Sequence, residues 1–284
     1  MNDQATKLRR KVEQQGSNTR IIAVASGKGG VGKSNITVNL GLTLQEMGKR
    51  VLLLDADLGM ANLDILLGLT PSYNLSHVLK GKCKFEDALL HGPDGIDILP
   101  GTSGEDLINI SSTEVKRLIE ASSHMESNYD IIIIDIGAGI HYSVTNFIMA
   151  CDEAMIVLTP EPTAIMDAYS LIKFLANQKY KNKVGLIINQ TSSQKEGNNV
   201  ANRMQKVIME YLKLDIEIMG YIPYDEDIRQ SVKEQTPFII AYPKSKAVGA
   251  LKDVAAKMLD RVQSTESRGM KGFMYRIVGI FNRN

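Results

Sequence analysis

Short apolar runs recur along the chain at 21–25, 51–54, 95–101, 131–134, 154–158, 184–188 and 216–222. Most show no alternation of apolar with polar residues. They therefore predict strands buried on both faces, as in a parallel sheet. Helix-period stretches separate them, at 33–47, 113–125, 163–177, 225–234 and 245–263. Residues 70–95 are mixed, with Pro71, Gly81, Gly92, Pro93 and Gly95 breaking two short helical pieces. The predicted class is α/β: a mainly parallel, twisted sheet with helices on both faces. No internal repeat is visible.

Composition changes this picture little. The 284 residues are 44% hydrophobic and 23% charged, which suits a globular protein of one large α/β domain or two small ones. The start is polar and basic rather than signal-like, and no run of about 18 apolar residues would span a bilayer. Cys83 and Cys151 are far apart and unpatterned, so both are expected free, as in a reducing cytoplasm. Charge is more informative. The net charge is +1, yet residues 1–20 carry a net +3 and residues 268–284 a net +4. Two cationic ends on an acidic body suggest that the ends bind something the body does not.

The chemistry centres on residues 21–34. The run 21–25 leads into Gly27, and Gly32-Lys33-Ser34 completes the phosphate-loop pattern G-x-x-x-x-G-K-[ST]. The glycines free backbone N–H groups of Gly29, Gly30, Val31 and Gly32 to converge on phosphate oxygens. The helix N-terminus adds its positive dipole end. Lys33 would reach the β- and γ-phosphates of ATP, and the Ser34 hydroxyl would ligate Mg²⁺. Two further carboxylates stand at strand ends, beside the crevice where open α/β sheets bind ligands. These are Asp57, after 51–54, and Asp135, after the four isoleucines 131–134, the latter placed to hold Mg²⁺ through water. Asn35 follows Ser34, and its amide can donate to an α-phosphate oxygen.

Lys28 makes the loop unusual. One lysine serves one nucleotide, and a second on the same tight turn has no obvious task in its own subunit. The stretch Lys28-Gly29-Gly30-Val31-Gly32-Lys33-Ser34 resembles the deviant phosphate loop of the MinD/ParA ATPase family. The resemblance covers almost the whole chain and implies a P-loop ATPase that forms a homodimer with ATP. It implies that Lys28 crosses the dimer interface to the other subunit's nucleotide. Asp57 would position the attacking water, and Asn62 and Asp167 would contribute to the dimer face. Glu161 would reach toward ribose, Asn189 would bond the adenine edge, and Pro223 would wall the base pocket.

The two ends narrow the resemblance. Asp3-Gln4-Ala5-Thr6-Lys7-Leu8-Arg9 resembles the D-Q-A-x-x-L-R motif of the flagellar FlhG (YlxH) branch of this family. The motif implies a partner, the GTPase FlhF, activated through Gln4 with Asp3, Leu8 and Arg9 supporting. A short helix over 2–14 is expected, broken at Gly16. At the other end, Phe273, Met274, Ile277, Ile280 and Phe281 share one helical face, flanked by Lys271 and Arg276. That is the pattern of an interfacial helix for anionic lipid, too short to span. The expected organisation is an activator segment (1–20), an ATPase domain (21–263), and a linker with a membrane-targeting helix (264–284).

The expected function is a slow, Mg²⁺-dependent ATP/ADP switch. It would move between cytoplasm and the inner face of the cell membrane and regulate flagellar number and placement, with flagellar C-ring components as further partners. No specific nucleic acid is expected. The alternatives left open are ParA-type DNA segregation and division-site placement.

Overall fold

The computed structural model describes residues 19–57, 62–101, 112–260 and 269–281. The expected helix at 2–14, with Asp3, Gln4, Leu8 and Arg9, lies outside the described residues. In chain order the elements are β1 (Arg20–Ser26), α1 (Lys33–Glu46), β2 (Val51–Ala56), α2 (Leu63–Leu66), α3 (Leu75–Leu79), β3 (Leu90–His91), β4 (Asp97–Leu99) and α4 (Ser112–Asn128). There follow β5 (Ile131–Ala138), α5 (Tyr142–Ala150), β6 (Glu153–Leu158), α6 (Pro162–Asn177), β7 (Lys183–Thr191) and α7 (Gln194–Leu212). The chain continues with β8 (Glu217–Pro223), α8 (Glu226–Lys233), α9 (Phe238–Ala241), α10 (Lys246–Asp260) and α11 (Gly269–Phe281).

The strands form one sheet in the order β3-β4-β2-β5-β1-β6-β7-β8. All neighbours are parallel except β3 and β4, which pair antiparallel at the edge. The unbroken apolar runs find their reason here. Ile21, Ala23 and Ala25 of β1 pack into a core shared with α4, α5, α6, α7 and α11, whereas Ile22 and Val24 face α1, α9 and α10. A strand covered on both faces buries every side chain along its middle, so polar residues are kept to its ends.

Some elements depart from expectation. The run at 95–101 shrinks to β4, because Gly95 ends a 3₁₀ turn at positive φ and Gly101 abuts the backbone of Asp55. Helices α5 and α7 were not anticipated. The long α7 is polar on most of its surface and buries chiefly Ala201, Met204 and Ile208, a stripe too narrow to stand out in sequence.

The C-terminal helix, expected as an interfacial helix, is packed in a groove of the protein itself in this structure. Helix α11 docks on the body, against α4, α5 and β1. Met270, Phe273, Met274 and Ile277 are 0%, 1%, 4% and 2% exposed. The Phe273 ring lies 6.3 Å from that of Phe147. The flanking cations face carboxylates: Lys271 Nζ is 3.8 Å from Glu126 and Arg276 is 3.7 Å from Asp152. The body offers an apolar groove with acids at its rim, so the same amphipathic pattern is satisfied internally. The side chains of Ile280 and Phe281 lie outside the described residues.

Candidate nucleotide site

The C-terminal ends of β1, β2, β5, β7 and β8 converge on one cleft of about 1060 Å³. It is large for a small-molecule pocket. Gly29, Gly30, Gly32, Lys33, Ser34 and Asn35 form its floor. The loop has the shape that its glycines permit: Gly30 and Gly32 take φ of 80° and 87°, in the left-handed region. Gly27 is required for another reason. A Cβ there would lie 2.3 Å from the backbone of Asp167, so the loop presses directly on α6. Asp167, expected at a dimer face, thus also shapes the loop through its backbone.

The two lysines turn in different directions. Lys33 is buried, with Nζ 2.8 Å from Asp135 Oδ1 and 3.3 Å from Ser34 Oγ. Lys28 is partly exposed and donates to Glu161 at 2.8 Å and to the Thr163 hydroxyl at 2.9 Å. Glu161, expected near ribose, here holds the loop lysine of its own chain.

Asp135 is fully buried at the end of β5. Its Oδ1 accepts from Lys33 and from the Thr37 hydroxyl at 2.9 Å, while its Oδ2 has no hydrogen-bond partner among the described residues. A buried carboxylate oxygen without a donor suits a water on a divalent cation. Ser34 and Asp57 line the adjacent cleft. No cluster of three His, Cys, Asp or Glu side chains able to hold a metal occurs among the described residues. The Ser34 hydroxyl, the open Asp135 oxygen and Asp57 fit Mg²⁺ as P-loop ATPases use it, with few protein ligands and phosphate oxygens completing the shell. Ser34 would ligate the ion directly, and Asp135 would orient its water.

Asp57 meets the end of β5 closely. A Cβ on Gly137 would stand 3.2 Å from the Asp57 carboxylate, so the glycine leaves room for the acid beside β5. Asp57 is held in turn by Asp55, which sequence reasoning passed over as a catalytic support. Buried Asp55 accepts the backbone N–H groups of Asp57 (3.0 Å), Asn62 (2.9 Å) and Leu63 (3.2 Å). Burial pushes its carboxyl up to about 6, against the pull of these N–H donors, and nearby Asp135 adds to the rise. Asn62 therefore enters the site through its backbone N–H, held on the same carboxylate as Asp57.

The other wall is built from β7 and β8. Asn189 Nδ2 donates to the Val31 carbonyl at 2.8 Å, bracing the phosphate loop. An amide has two N–H donors, so one stays available for a ligand. Pro223 and Tyr224 complete this wall. Asn35 Oδ1 accepts from Asn39 at 3.0 Å, which keeps its NH₂ group for a donor role. Asn39 also accepts the Ile239 N–H at 3.0 Å, tying α1 to α9. Thr37 and Asn39 were missed in sequence. Their signal was position alone, at i+4 from Lys33 and Asn35 on the helix that the loop opens.

A phosphate loop at the central strand, a buried carboxylate on the neighbouring strand with a second acid at the end of the strand beside that, and a base-side wall across the loop define a P-loop ATPase. The comparisons with known proteins agree. The model of the CobQ/CobB/MinD/ParA nucleotide binding domain matches residues 22–238. The chain is 41% identical over 271 residues to the antiactivator FleN of Pseudomonas aeruginosa, covering 94% of this chain and 97% of FleN. It is 34% identical over 267 residues to the flagellum site-determining protein YlxH of Helicobacter pylori, covering 92% and 90%. The solved septum site-determining protein MinD of Pyrococcus horikoshii, complexed with Mg-ADP, superposes with a TM-score of 0.69 at 30% identity, covering 87% of this chain and 99% of that one. The chain belongs to the MinD/ParA family of ATPases and is an ATP hydrolase, and its resemblance to the flagellar branch is borne out by its likeness to FleN and to the flagellum site-determining protein YlxH.

Proposed function

We propose that this ATPase is a nucleotide-dependent switch for flagellar number and placement. It forms a homodimer with ATP and Mg²⁺, and acts in the cytoplasm and at the inner face of the membrane. The observation that carries the reading is the division of labour between the loop lysines. Lys33 turns inward to Asp135, whereas Lys28 lies outside the phosphate floor, 37% exposed and paired with Glu161. A surface lysine on a phosphate loop is available to a second subunit's nucleotide, with Glu161 beside it and Asn62 and Asp167 as further members of the dimer face in this reading.

In this reading Lys33 and the loop N–H groups hold the phosphates, and Ser34 and Asp135 hold Mg²⁺, which supplies charge neutralisation at the β- and γ-oxygens. Asp57 orients the attacking water. Asn189 contacts the adenine edge and Pro223 walls the base. Helix α11, released from its groove, would bring Phe273, Met274, Ile277, Lys271 and Arg276 to anionic lipid. Two such helices on one dimer gain up to ~10²–10⁴-fold in avidity, which links attachment to ATP. Gln4 and its neighbours would stimulate the GTPase FlhF, and C-ring components would be the cargo. Among the described residues no helix is long and apolar enough to cross a membrane, in keeping with reversible attachment.

The test is a sizing column run with ATP or ADP, followed by co-sedimentation with anionic vesicles. Wild type is expected to dimerise and sediment only with ATP, and Lys28→Ala to remain monomeric and in the supernatant. A Lys28→Ala protein that still dimerises with ATP would sink the cross-subunit role. For the partner, a peptide of residues 1–20 should raise phosphate release by FlhF, and a Gln4→Ala peptide should not.

A further inference from the structure

Residue 190 has an uncommon backbone for its place. Five non-glycine residues have positive φ among the described residues: Asp94, Lys179, Gln190, Lys213 and Gln235. Asp94 lies in a 3₁₀ turn, and Lys179, Lys213 and Gln235 stand at helix ends, where the left-handed region is routine. Gln190, at φ 57°, lies inside a strand. It sits on a bulge: Ile188 pairs with Tyr221 but Thr191 pairs with Pro223, so β7 has one residue more than β8 over this step.

The bulge has a consequence for the cleft. Asn189 and Thr191 are buried, and Gln190 between them is exposed and lines the cleft. Its Nε2 stands 3.9 Å from where a Cβ on Gly32 would be, so the carboxamide lies against the phosphate loop. No hydrogen bond among the described residues engages that carboxamide. A glycine would adopt this backbone without strain. A long polar side chain kept at a strained position, aimed into a ligand cleft and without a protein partner, has its use in the ligand.

Topology says which part of the ligand. The sheet order places β5 and β2, with Asp135 and Asp57, on one side of the β1 loop, and β7 and β8 on the other. The hydrolytic groups and Gln190 therefore flank the phosphate loop from opposite sides. We propose that Gln190 is a nucleotide-contacting residue that holds the nucleoside end of ATP and ADP against the phosphate loop, the β7 bulge serving to aim it. This rests on the reading of the cleft as the ATP site.

The experiment uses the full chain with Gln190→Ala and Gln190→Gly. ADP and tripolyphosphate are titrated by calorimetry, steady-state hydrolysis is followed, and the melting temperature is recorded without nucleotide. Loss of one or two polar contacts weakens ADP binding about three- to thirtyfold in both variants. Tripolyphosphate binding, which has no nucleoside, stays as in wild type. KM for ATP rises while kcat stays within about twofold. Gln190→Gly melts higher than wild type without nucleotide, because strain is relieved, so stability and affinity move in opposite directions. Unchanged ADP affinity in both variants overturns the proposal. So does a drop in kcat at unchanged KM, which would place the residue at the γ-phosphate, or an equal loss for tripolyphosphate. A wild-type protein that binds neither ADP nor ATP would overturn the ATP-site reading as well, and that control separates the two failures.

Discussion

Truncating Phe273 to alanine tests whether α11 is a separable, releasable unit. Phe273 is 1% exposed and packs on Phe147, and with Met274 and Ile277 it borders a small void beside Leu54, Asp55 and Ala56. Phe→Ala in a core costs about 3–5 kcal/mol, the low end applying where the site can collapse. Here a void of only about 20 Å³ exists already and α11 can shift as a body, so about 3 kcal/mol is the working figure. That corresponds to a factor of about 10² in the opening equilibrium of the helix. Hydrogen exchange reads this directly, since sub-global openings report their own free energy. Amides of residues 269–277 should exchange about a hundredfold faster in the variant, and those of β1 and β5 should keep wild-type rates. Wild-type protection in α11 would refute the packing argument. Equal acceleration in β1 and β5 would refute separability, because α11 would then open only with the whole domain.

Three further outcomes follow from the site. Gly27→Ala should lower stability by about 3 kcal/mol in urea and abolish ADP binding by calorimetry, because its Cβ would stand 2.3 Å from the Asp167 backbone and the loop must move; wild-type affinity would contradict this. Asp57→Ala should slow phosphate release by about 10² or more while the ATP-bound dimer persists on a sizing column, and a variant that hydrolyses at the wild-type rate would remove Asp57 from the reaction. Asp55 should make the metal-free protein pH-sensitive. Its carboxyl rises from 3.8 to about 6 in the fold, so its contribution is fully present below pH 4 and lost as pH rises through 6, about 3 kcal/mol in all. Denaturation at pH 4 and pH 7 in chelator should show a smaller difference for Asp55→Asn than for wild type, and identical differences would exclude the residue as the source.

The helical face at 270–281 shows the limit of pattern reading. A stripe of Met, Phe and Ile flanked by cations describes a helix that wants an apolar surface with negative charge near it. A bilayer of anionic lipid meets that description, and so does the groove between α4 and α5 with Glu126 and Asp152 at its rim. Periodicity cannot separate the two, because both satisfy the same side chains. Glu161 and Asn189 tell a similar story. Their positions at strand and helix ends were legible, but their partners, Lys28 and the Val31 carbonyl, lie far off in sequence.

The sequence by itself determined the fold class, the phosphate loop and the strand ends that carry Asp57 and Asp135. Each of these is local: apolar runs too short for helices, glycines at fixed offsets, and carboxylates directly after buried strands. Only the tertiary structure decided which groups serve those residues. Asp55 gathers the N–H groups of Asp57, Asn62 and Leu63, Thr37 joins Lys33 on Asp135, and the extra residue in β7 turns Gln190 into the cleft. Those arrangements depend on register between strands and on hydrogen bonds across long sequence separations. Such pairings are chosen by packing of the whole sheet, and no local pattern encodes them.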